Sequence, residues 1–237
     1  MPGAKKIAAI VGAGPGLGAA LAGRFGREGF ALALIARSTD TLARLEEPLE
    51  RSGATVLSVA ADASQPKSVQ NAFEQIHEGL GPPSVLIYNA GAYQVGGVLE
   101  LTADRFEQAW KVSCFGAFLA VQQVLPAMLE AGGGTILFTG ATASLRGSAR
   151  FAGLAVGKFG LRALAQSLAR EFAPRQIHVA HIVIDGGIDT PQARERAQND
   201  AQRLAPEAIA EVYWQLHTQP SSAWTHELDL RPASEKF

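Results

Sequence analysis

The glycines of Gly12-Ala13-Gly14-Pro15-Gly16-Leu17-Gly18 are the residues near the amino terminus whose type and spacing best suit a chemical task. Glycine has no Cβ, so a turn of this kind can bring its backbone close to a pyrophosphate. The helix that follows would add free N–H groups and a positive potential for the anion. A tight turn without a ligand is the alternative, but the apolar run before it and the amphipathic run after it favour nucleotide binding.

A second candidate contact lies at the end of the next apolar run, Ile35-Ala36-Arg37-Ser38. A carboxylate at this place would accept hydrogen bonds from the ribose hydroxyls and repel a 2′-phosphate, and Ala36 supplies none. The guanidinium of Arg37 and the hydroxyl of Ser38 can instead bind a phosphate. A solvated arginine at a strand end is the alternative. The pattern favours NADP(H) over NAD(H).

Strand and helix patterns alternate along the chain and place both of these sites at strand ends. Apolar runs predict strands at residues 7–11, 30–36, 55–60, 85–88, 135–139 and 178–184. Stretches of helical period predict helices at residues 16–29, 39–52, 64–81, 102–130 and 152–173. The tail predicts a helix within 191–215 and a last strand at 224–230. This order predicts a single α/β domain over residues 1–237, with a Rossmann-type doubly wound parallel sheet.

The composition argues against several kinds of partner. Charged residues make up 18% of the chain, its net charge is -1, and no basic block is present, so neither nucleic acid nor an anionic membrane is an expected partner. No unbroken apolar run reaches the ~18 residues of a membrane span. The single cysteine, Cys114, fits a reducing cytosol and hence a cytoplasmic protein. His178 and His181 point to opposite faces of one strand, so no metal site is predicted.

The chain resembles the short-chain dehydrogenase/reductase family over about residues 5 to 190. Five motifs carry the resemblance, and they occur in the order and at the intervals typical of that family. The spacing Gly12-xxx-Gly16-x-Gly18 matches the glycine turn of that family. The further matches are Ala61-Asp62-Ala63, Asn89-Ala90-Gly91, Lys158 and Asp185-Gly186-Gly187-Ile188-Asp189-Thr190. Tyr88 stands in place of the first Asn of the family's Asn-Asn-Ala-Gly. The resemblance implies NADP(H) or NAD(H) binding and oxidoreductase chemistry.

The resemblance also implies a contact for each part of the cofactor. Carried over from the matching motifs, these are Gly12, Gly16, Leu17 and Gly18 at the pyrophosphate, Asp62 and Ala63 at the adenine, Asn89 and Gly91 at the nucleoside, Lys158 at the nicotinamide ribose, and Ile188 and Thr190 at the carboxamide end. Together with Arg37 and Ser38, they form the predicted cofactor site.

The catalytic pattern of the family is incomplete in this sequence. The family has Tyr-xxx-Lys, a Ser 13 residues before the Tyr, and an Asn on the preceding long helix, and these three positions here hold Leu154, Ala141 and Ser113. Lys158 alone remains. The chain thus resembles a divergent branch that lacks the tyrosine of the catalytic tetrad. Loss of a positioned acid costs about 10²–10⁴ in rate, because carbonyl reduction needs a proton as well as a hydride.

A replacement acid is sought among the nearby residues. Phe151, at the longer Tyr-x6-Lys spacing of related enoyl reductases, has no hydroxyl. Tyr93 lies in the loop expected to open towards the nicotinamide, and is the candidate relocated acid; a packing or rim tyrosine is the alternative. Asp185 is either a general base or, more simply, a turn carboxylate that caps the N–H of Gly187.

Three functions fit these observations. The first is an NADP(H)-dependent oxidoreductase acting on a small carbonyl, alcohol or enoyl substrate with a non-standard acid. The second is a nucleotide-holding sensor or partner subunit without turnover. The third is a structural subunit with an empty glycine turn, against which the intact turn, Arg37, Asp62, Asn89 and Lys158 argue.

Two further expectations concern assembly and substrate access. Family resemblance implies a homo-oligomer, a dimer or tetramer, and the apolar groups on two helices support it: Phe115, Phe118, Leu119, Phe159, Leu161 and Leu164. Residues 187–215 are expected to form the substrate lid.

Overall fold

Seven strands, all parallel, form one sheet in the computed structural model, which describes residues 6–195 and 203–234. The strands are β1 Ile7–Val11, β2 Ala31–Ala36, β3 Val56–Ala60, β4 Val85–Tyr88, β5 Gly134–Thr139, β6 Ile177–Ile184 and β7 Glu227–Leu230. Their order is β3-β2-β1-β4-β5-β6-β7. The six strands before the tail agree with the predicted boundaries to within one residue, because each is an almost continuous apolar run. All but the edge strand β3, which is only partly buried, are covered on both faces.

Helices cover both faces of this sheet. They are α1 Leu17–Arg27, α2 Thr39–Arg51, α3 Pro66–Gly79, α4 Ala103–Trp110, α5 Gly116–Glu130, α6 Ala152–Phe172, α7 Pro191–Glu195 and α8 Pro206–His217. One core cluster joins the sheet to α3, α5 and α6 through residues such as Phe73 and Leu161. The other joins it to α1, α2 and α8 through residues such as Phe25 and Tyr213. The arrangement confirms the predicted single-domain, doubly wound α/β fold of the Rossmann type.

The strand order reverses direction between β1 and β4, which are neighbours although three helices and two strands separate them in the sequence. Val11 pairs with Tyr88 at the carboxyl ends of these strands. Chains leaving the two ends turn to opposite sides of the sheet, which opens a crevice where ligands of such folds bind. The glycine turn and the segment after Tyr88 therefore meet at this crevice.

The predicted helix 102–130 is interrupted by a π-helical turn, Lys111–Phe115, between α4 and α5. The buried hydroxyl of Tyr88 donates a hydrogen bond to the carbonyl oxygen of Val112. Gly116 follows, and a Cβ there would collide with the Ala63 carbonyl oxygen and the Tyr88 hydroxyl. These contacts across the fold widen one helical turn, which no local pattern predicted, and π-turns are common at functional sites.

The same helix, Ala103–Glu130, is 28 residues long and passes the length and composition test for a membrane span. Ser and Gln interrupt the apolar run, so no unbroken run of 18 residues exists, but they add no charge and the average hydropathy of the window stays high. Core helices of globular domains pass the same test, and 44% of the apolar window is buried inside the protein.

The tail differs in detail from its prediction. The helix expected within 191–215 appears as α7 and α8, with a single parallel bridge between Ile188 and Leu204. Residues 196–202, part of the expected lid, lie outside the described residues. The last strand begins at Glu227 rather than at Trp224, since Ser221–Ala223 forms a 3-10 turn.

We expect Gly116→Ala to lower the free energy of unfolding by about 1–3 kcal/mol, because the new methyl group would press on backbone and on Tyr88. Gly23→Ala in α1 is the matched control, since the nearest atom to a Cβ there is 3.8 Å away. That control should gain about 0.5–1 kcal/mol from helix propensity. Urea unfolding measures both, and equal effects would contradict the packing argument.

Candidate functional site

The glycine turn is fastened between β2 and the segment that follows β4. The N–H groups of Gly12 and Ala13 donate to the Ile35 carbonyl oxygen at 2.8 and 3.0 Å. Gly12 has a φ of 92°, and a Cβ on it would lie 2.5 Å from the nitrogen of Ala90. Only glycine allows this backbone angle together with this approach. Nothing lies within 4 Å of the Cβ position of Gly14, so the turn presents open backbone on that side.

A cavity of about 820 Å³, here called the first cavity, extends over the carboxyl ends of the strands around the crevice. Its lining brings four predicted segments together, and their ranges are 12–14, 36–38, 61–63 and 89–93. The volume is within the usual range for a cofactor pocket. Gly16, Leu17 and Gly18 lie beside it at the start of α1, where no side chain of the described residues caps the helix.

The two residues predicted to bind a phosphate stand at the rim of the first cavity. The exposed guanidinium of Arg37 has no ion pair or side-chain hydrogen bond within the described part of the chain. Ser38 caps α2, because its Oγ accepts a hydrogen bond from the N–H of Thr41 at 3.2 Å. Its hydroxyl hydrogen is still able to donate to a ligand.

Asp62 and Asn89 are held in place by hydrogen bonds to their surroundings. Oδ1 of Asp62 accepts from the N–H of Ser64 at 2.9 Å and from the Ser64 hydroxyl at 2.8 Å. Nδ2 of Asn89 donates to the Gly12 carbonyl oxygen at 2.9 Å, which ties the segment after β4 to the glycine turn. Ala63 is buried beside Asp62. Fixed polar groups of this kind can contact a ligand without reorganising.

A second cavity of about 560 Å³ joins the first at Asn89, Gly91 and Tyr93. Lys158 of α6 lines it, and its Nζ donates to the Thr139 carbonyl oxygen at 2.6 Å. Burial lowers the pKa of Lys158 to about 8, because desolvation disfavours the ammonium form. A Cβ on Gly91 would lie 3.3 Å from this nitrogen, so the lysine stands beneath the junction of the two cavities.

The positions four and seventeen residues before Lys158 present no polar side chain to the second cavity. They hold Leu154 and Ala141, and both line it. Ser113 is fully buried in the π-helical turn, and its Oγ accepts from the N–H of Ala92 at 3.4 Å. Ser113 therefore supports the segment after β4.

Tyr93 lies at the junction of the cavities, but it is 74% exposed. Its ring packs edge-on against Phe151 with the centroids 5.8 Å apart. Its hydroxyl has no hydrogen-bond partner among the described residues. The role of relocated acid stays a prediction, and the surroundings resemble those of the rim tyrosine named as its alternative.

Ile188 and Thr190, the residues predicted at the carboxamide end, lie on the segment that follows β6. Ile188 lines the second cavity. A Cβ on Gly16 would lie 2.5 Å from the Thr190 methyl carbon, so the segment after β6 closes over the start of α1. The Thr190 hydroxyl oxygen accepts from the N–H of Ala193 at 3.1 Å.

The carboxylate of Asp185 binds Arg231 and Thr142 rather than the N–H of Gly187. Its side chain is buried, Oδ2 lies 3.1 Å from the guanidinium of Arg231, and Oδ1 accepts from the hydroxyl of Thr142. This partner was missed because Arg231 lies 46 residues later in the sequence. The ion pair fastens the segment after β7 beside the second cavity.

The histidines of β6 face different neighbours. The His178 ring stacks on Trp224 at 4.8 Å, whereas fully buried His181 lies against Gly140. Burial lowers the pKa of His181 to about 4. Within residues 6–195 and 203–234, no three His, Cys, Asp or Glu side chains come together as metal ligands.

Comparison with known proteins agrees with this geometry. A family profile described as short chain dehydrogenase matches residues 6–201. The chain belongs to the short-chain dehydrogenase family. A crystal structure of a short-chain dehydrogenase from Rhodopseudomonas palustris is 39% identical, covers 96% of this chain and 98% of its own, and superposes with a TM-score of 0.84. A metagenomic short-chain oxidoreductase in complex with NADP is 26% identical, with 96% and 97% coverage and a TM-score of 0.85.

Among curated sequences, the glycine betaine reductase of Emericella nidulans is 29% identical over 97% of this chain. The chain spans only 19% of the length of that relative. Membership of the family gives this chain a fold of the NAD(P)-binding, short-chain dehydrogenase type.

We expect Arg231→Leu to lower the free energy of unfolding by about 3 kcal/mol at neutral pH, because it leaves the buried carboxylate of Asp185 without its cation. Arg51→Leu is the control, since Arg51 and Glu47 form an exposed pair. Its effect should be near zero. If both variants unfold at the same urea concentration, the ion pair does not stabilise the fold.

Proposed function

We propose that this short-chain dehydrogenase is an NADP(H)-dependent oxidoreductase whose catalytic tetrad is incomplete. One observation carries the proposal: a cofactor-sized cavity joins a second cavity directly above a buried lysine, Lys158. The first cavity suits the dinucleotide, and the second suits the small molecule that reacts with it. When bound, NADPH supplies a hydride at its nicotinamide ring.

The proposed cofactor contacts run along the first cavity and past its junction with the second. They are Gly12, Gly16, Leu17 and Gly18 for the pyrophosphate, Arg37 and Ser38 for the 2′-phosphate, Asp62 and Ala63 for the adenine, Asn89, Gly91 and Lys158 for the nicotinamide nucleoside, and Ile188 and Thr190 for the carboxamide. The unpaired guanidinium of Arg37, and Ala36 in place of a carboxylate, support NADP(H) over NAD(H). The NADP of the related metagenomic oxidoreductase is consistent with this preference.

The proposed defect lies in proton supply. Leu154 and Ala141 occupy the positions of the tyrosine and serine of the family, and neither side chain has a proton to give. Lys158 keeps its second role, which is to hold the nicotinamide ribose. We therefore expect ordinary aldehydes and ketones to be reduced very slowly. Tyr93→Phe tests whether the residual rate depends on that hydroxyl.

A nucleotide-holding sensor or partner subunit is the second candidate function. The observation that favours it is that Leu154 and Ala141, both apolar, line the second cavity, while the first cavity is large enough for a cofactor. This candidate predicts NADPH binding without turnover of any small molecule, whereas the first predicts turnover of a suitable one.

We also propose that the protein forms a homo-oligomer through α4, α5 and α6, in the cytoplasm and with residues 187–215 as the substrate lid. Several large apolar side chains on these helices are exposed, namely Phe106, Trp110, Phe118, Val156 and Phe159. Exposed apolar groups clustered in this way are typical of interfaces. A mass above that of one chain, measured by light scattering at micromolar concentration, is the expected result, and a monomer would contradict it.

Arg37→Ala should weaken NADPH binding by about 1.5–3 kcal/mol, because it removes a charged hydrogen bond to the 2′-phosphate. NADH has no such phosphate, so its affinity should change little. Arg44→Ala, an exposed arginine on α2 outside the cavity lining, is the control. Fluorescence titration measures all affinities. Equal losses for NADPH and NADH would contradict the assignment.

The double variant Leu154→Tyr with Ala141→Ser should gain carbonyl reductase activity by about 10²-fold or more, because a phenol beside Lys158 can donate the proton. Adding Lys158→Ala should abolish this gain and weaken NADPH binding. The rate of NADPH oxidation with a panel of ketones measures the effect. If the double variant binds NADPH but is still inactive, the carbonyl group of the substrate does not come within reach of residues 154 and 141.

A further inference from the structure

The wall of the second cavity offers few protons to a bound molecule. Leu154 and Ala141 are apolar, and the hydroxyls nearest to them are already engaged within the protein. The Thr139 hydroxyl is 2.8 Å from that of Tyr213, and the Thr142 hydroxyl donates to Asp185. Ser148 and Tyr93 also line the cavity, and both are exposed to solvent. Apart from the Lys158 ammonium, which donates to the Thr139 carbonyl oxygen, no buried side chain that the structure describes on this wall is free to protonate the reacting group of a substrate.

An iminium ion is a hydride acceptor that needs no proton. Its carbon accepts the hydride together with the electron pair of the C–H bond that breaks, and the C=N π pair becomes a lone pair on nitrogen. The iminium is reduced to a neutral amine, and NADPH is oxidised to NADP⁺. Atoms and charge balance without an acid. A ketone treated in the same way would be left as an alkoxide, which requires one.

Two aromatic rings stand at the mouth of this cavity. Tyr93 and Phe151 both line it, with centroids 5.8 Å apart at an interplanar angle of 62°. Aromatic faces attract a cation within about 6 Å, and the pair also covers the apolar body of a substrate. The nearest buried carboxylate, that of Asp185, is paired with Arg231. Attraction of a cation to this mouth therefore depends on the rings.

Lys158 is the one cationic side chain among the described lining residues of the second cavity. Burial lowers its pKa to about 8, so its charge, and the repulsion of a cationic substrate, decline above this pH. His181 of β6, which faces it, has a pKa lowered by burial to about 4 and is neutral in this range.

We propose that the substrate class of this site is cyclic or N-alkylated iminium ions with an apolar skeleton, held by Tyr93 and Phe151 and reduced by NADPH. The inference rests on the proposed NADPH binding. It would explain why the site has no tyrosine acid, because an iminium ion is already cationic and accepts a hydride without a proton.

The test compares N-methyl-dihydroisoquinolinium, whose charge is permanent, with α-tetralone, a neutral ketone of the same bicyclic shape. Oxidation of NADPH is followed at about pH 8.5, above the pKa of Lys158, and corrected for the rate without protein. The amine product is identified by mass spectrometry. We expect kcat/KM for the iminium to exceed that for the ketone by about 100-fold or more.

Ring variants test the binding mode. Tyr93→Leu and Phe151→Leu should each weaken iminium binding about 3- to 30-fold, measured by calorimetry in the presence of NADP⁺ so that no turnover is needed. Tyr93→Phe retains the ring and should lose less than Tyr93→Leu. Leu99→Ala is the control, since Leu99 is fully exposed on the same segment and lines neither cavity.

NADPH binding, measured by fluorescence in the same preparation, distinguishes failure of the substrate proposal from failure of the cofactor proposal. Bound NADPH with no iminium reduction above the uncatalysed rate overturns the substrate assignment and leaves the cofactor proposal standing. Equal kcat/KM for ketone and iminium also overturns it, as does an equal loss in Tyr93→Phe and Tyr93→Leu. If NADPH does not bind, both proposals are wrong.

Discussion

The close approach of two backbone segments at the crevice between β1 and β4 determines the rest of the site. Gly12 lies against Ala90, and the side chain of Asn89 donates to the Gly12 carbonyl oxygen at 2.9 Å. A Cβ on residue 12 would separate these segments. Their contact directs the chain after β4 across the end of the sheet, where Gly91 passes over Lys158. The absence of a Cβ at residue 12 thus shapes the first cavity and determines where it joins the second.

A buried polar network then links this crevice to α6. The Tyr88 hydroxyl holds the π-helical turn through Val112, and Ser113 in that turn accepts from the N–H of Ala92. A Cβ on Gly157, one residue before Lys158, would lie 2.8 Å from the Cβ of Ser113. Because the turn packs on α6, the position of Lys158 depends on it. Networks of this kind restrict the geometry of a site, since each buried group needs its partner.

The two cavities differ in the character of their linings. The glycine turn, Asp62 and Asn89 give the first cavity fixed polar groups, whereas Leu154 and Ala141 leave the wall of the second cavity beside Lys158 apolar. Burial lowers the pKa of this lysine to about 8, because desolvation disfavours the ammonium form.

The sequence alone determined the strands, most helices, the order of the motifs and the residue types at Leu154 and Ala141. These follow from apolar periodicity and from spacing along the chain, both of which are local. Only the tertiary structure decided the π-helical turn, the exposure of Tyr93 and the partner of Asp185. Each depends on groups far apart in sequence: Tyr88 with Val112, or Asp185 with Arg231. Whether such groups meet depends on how the helices and the sheet pack against each other. A local sequence pattern carries no information about that packing.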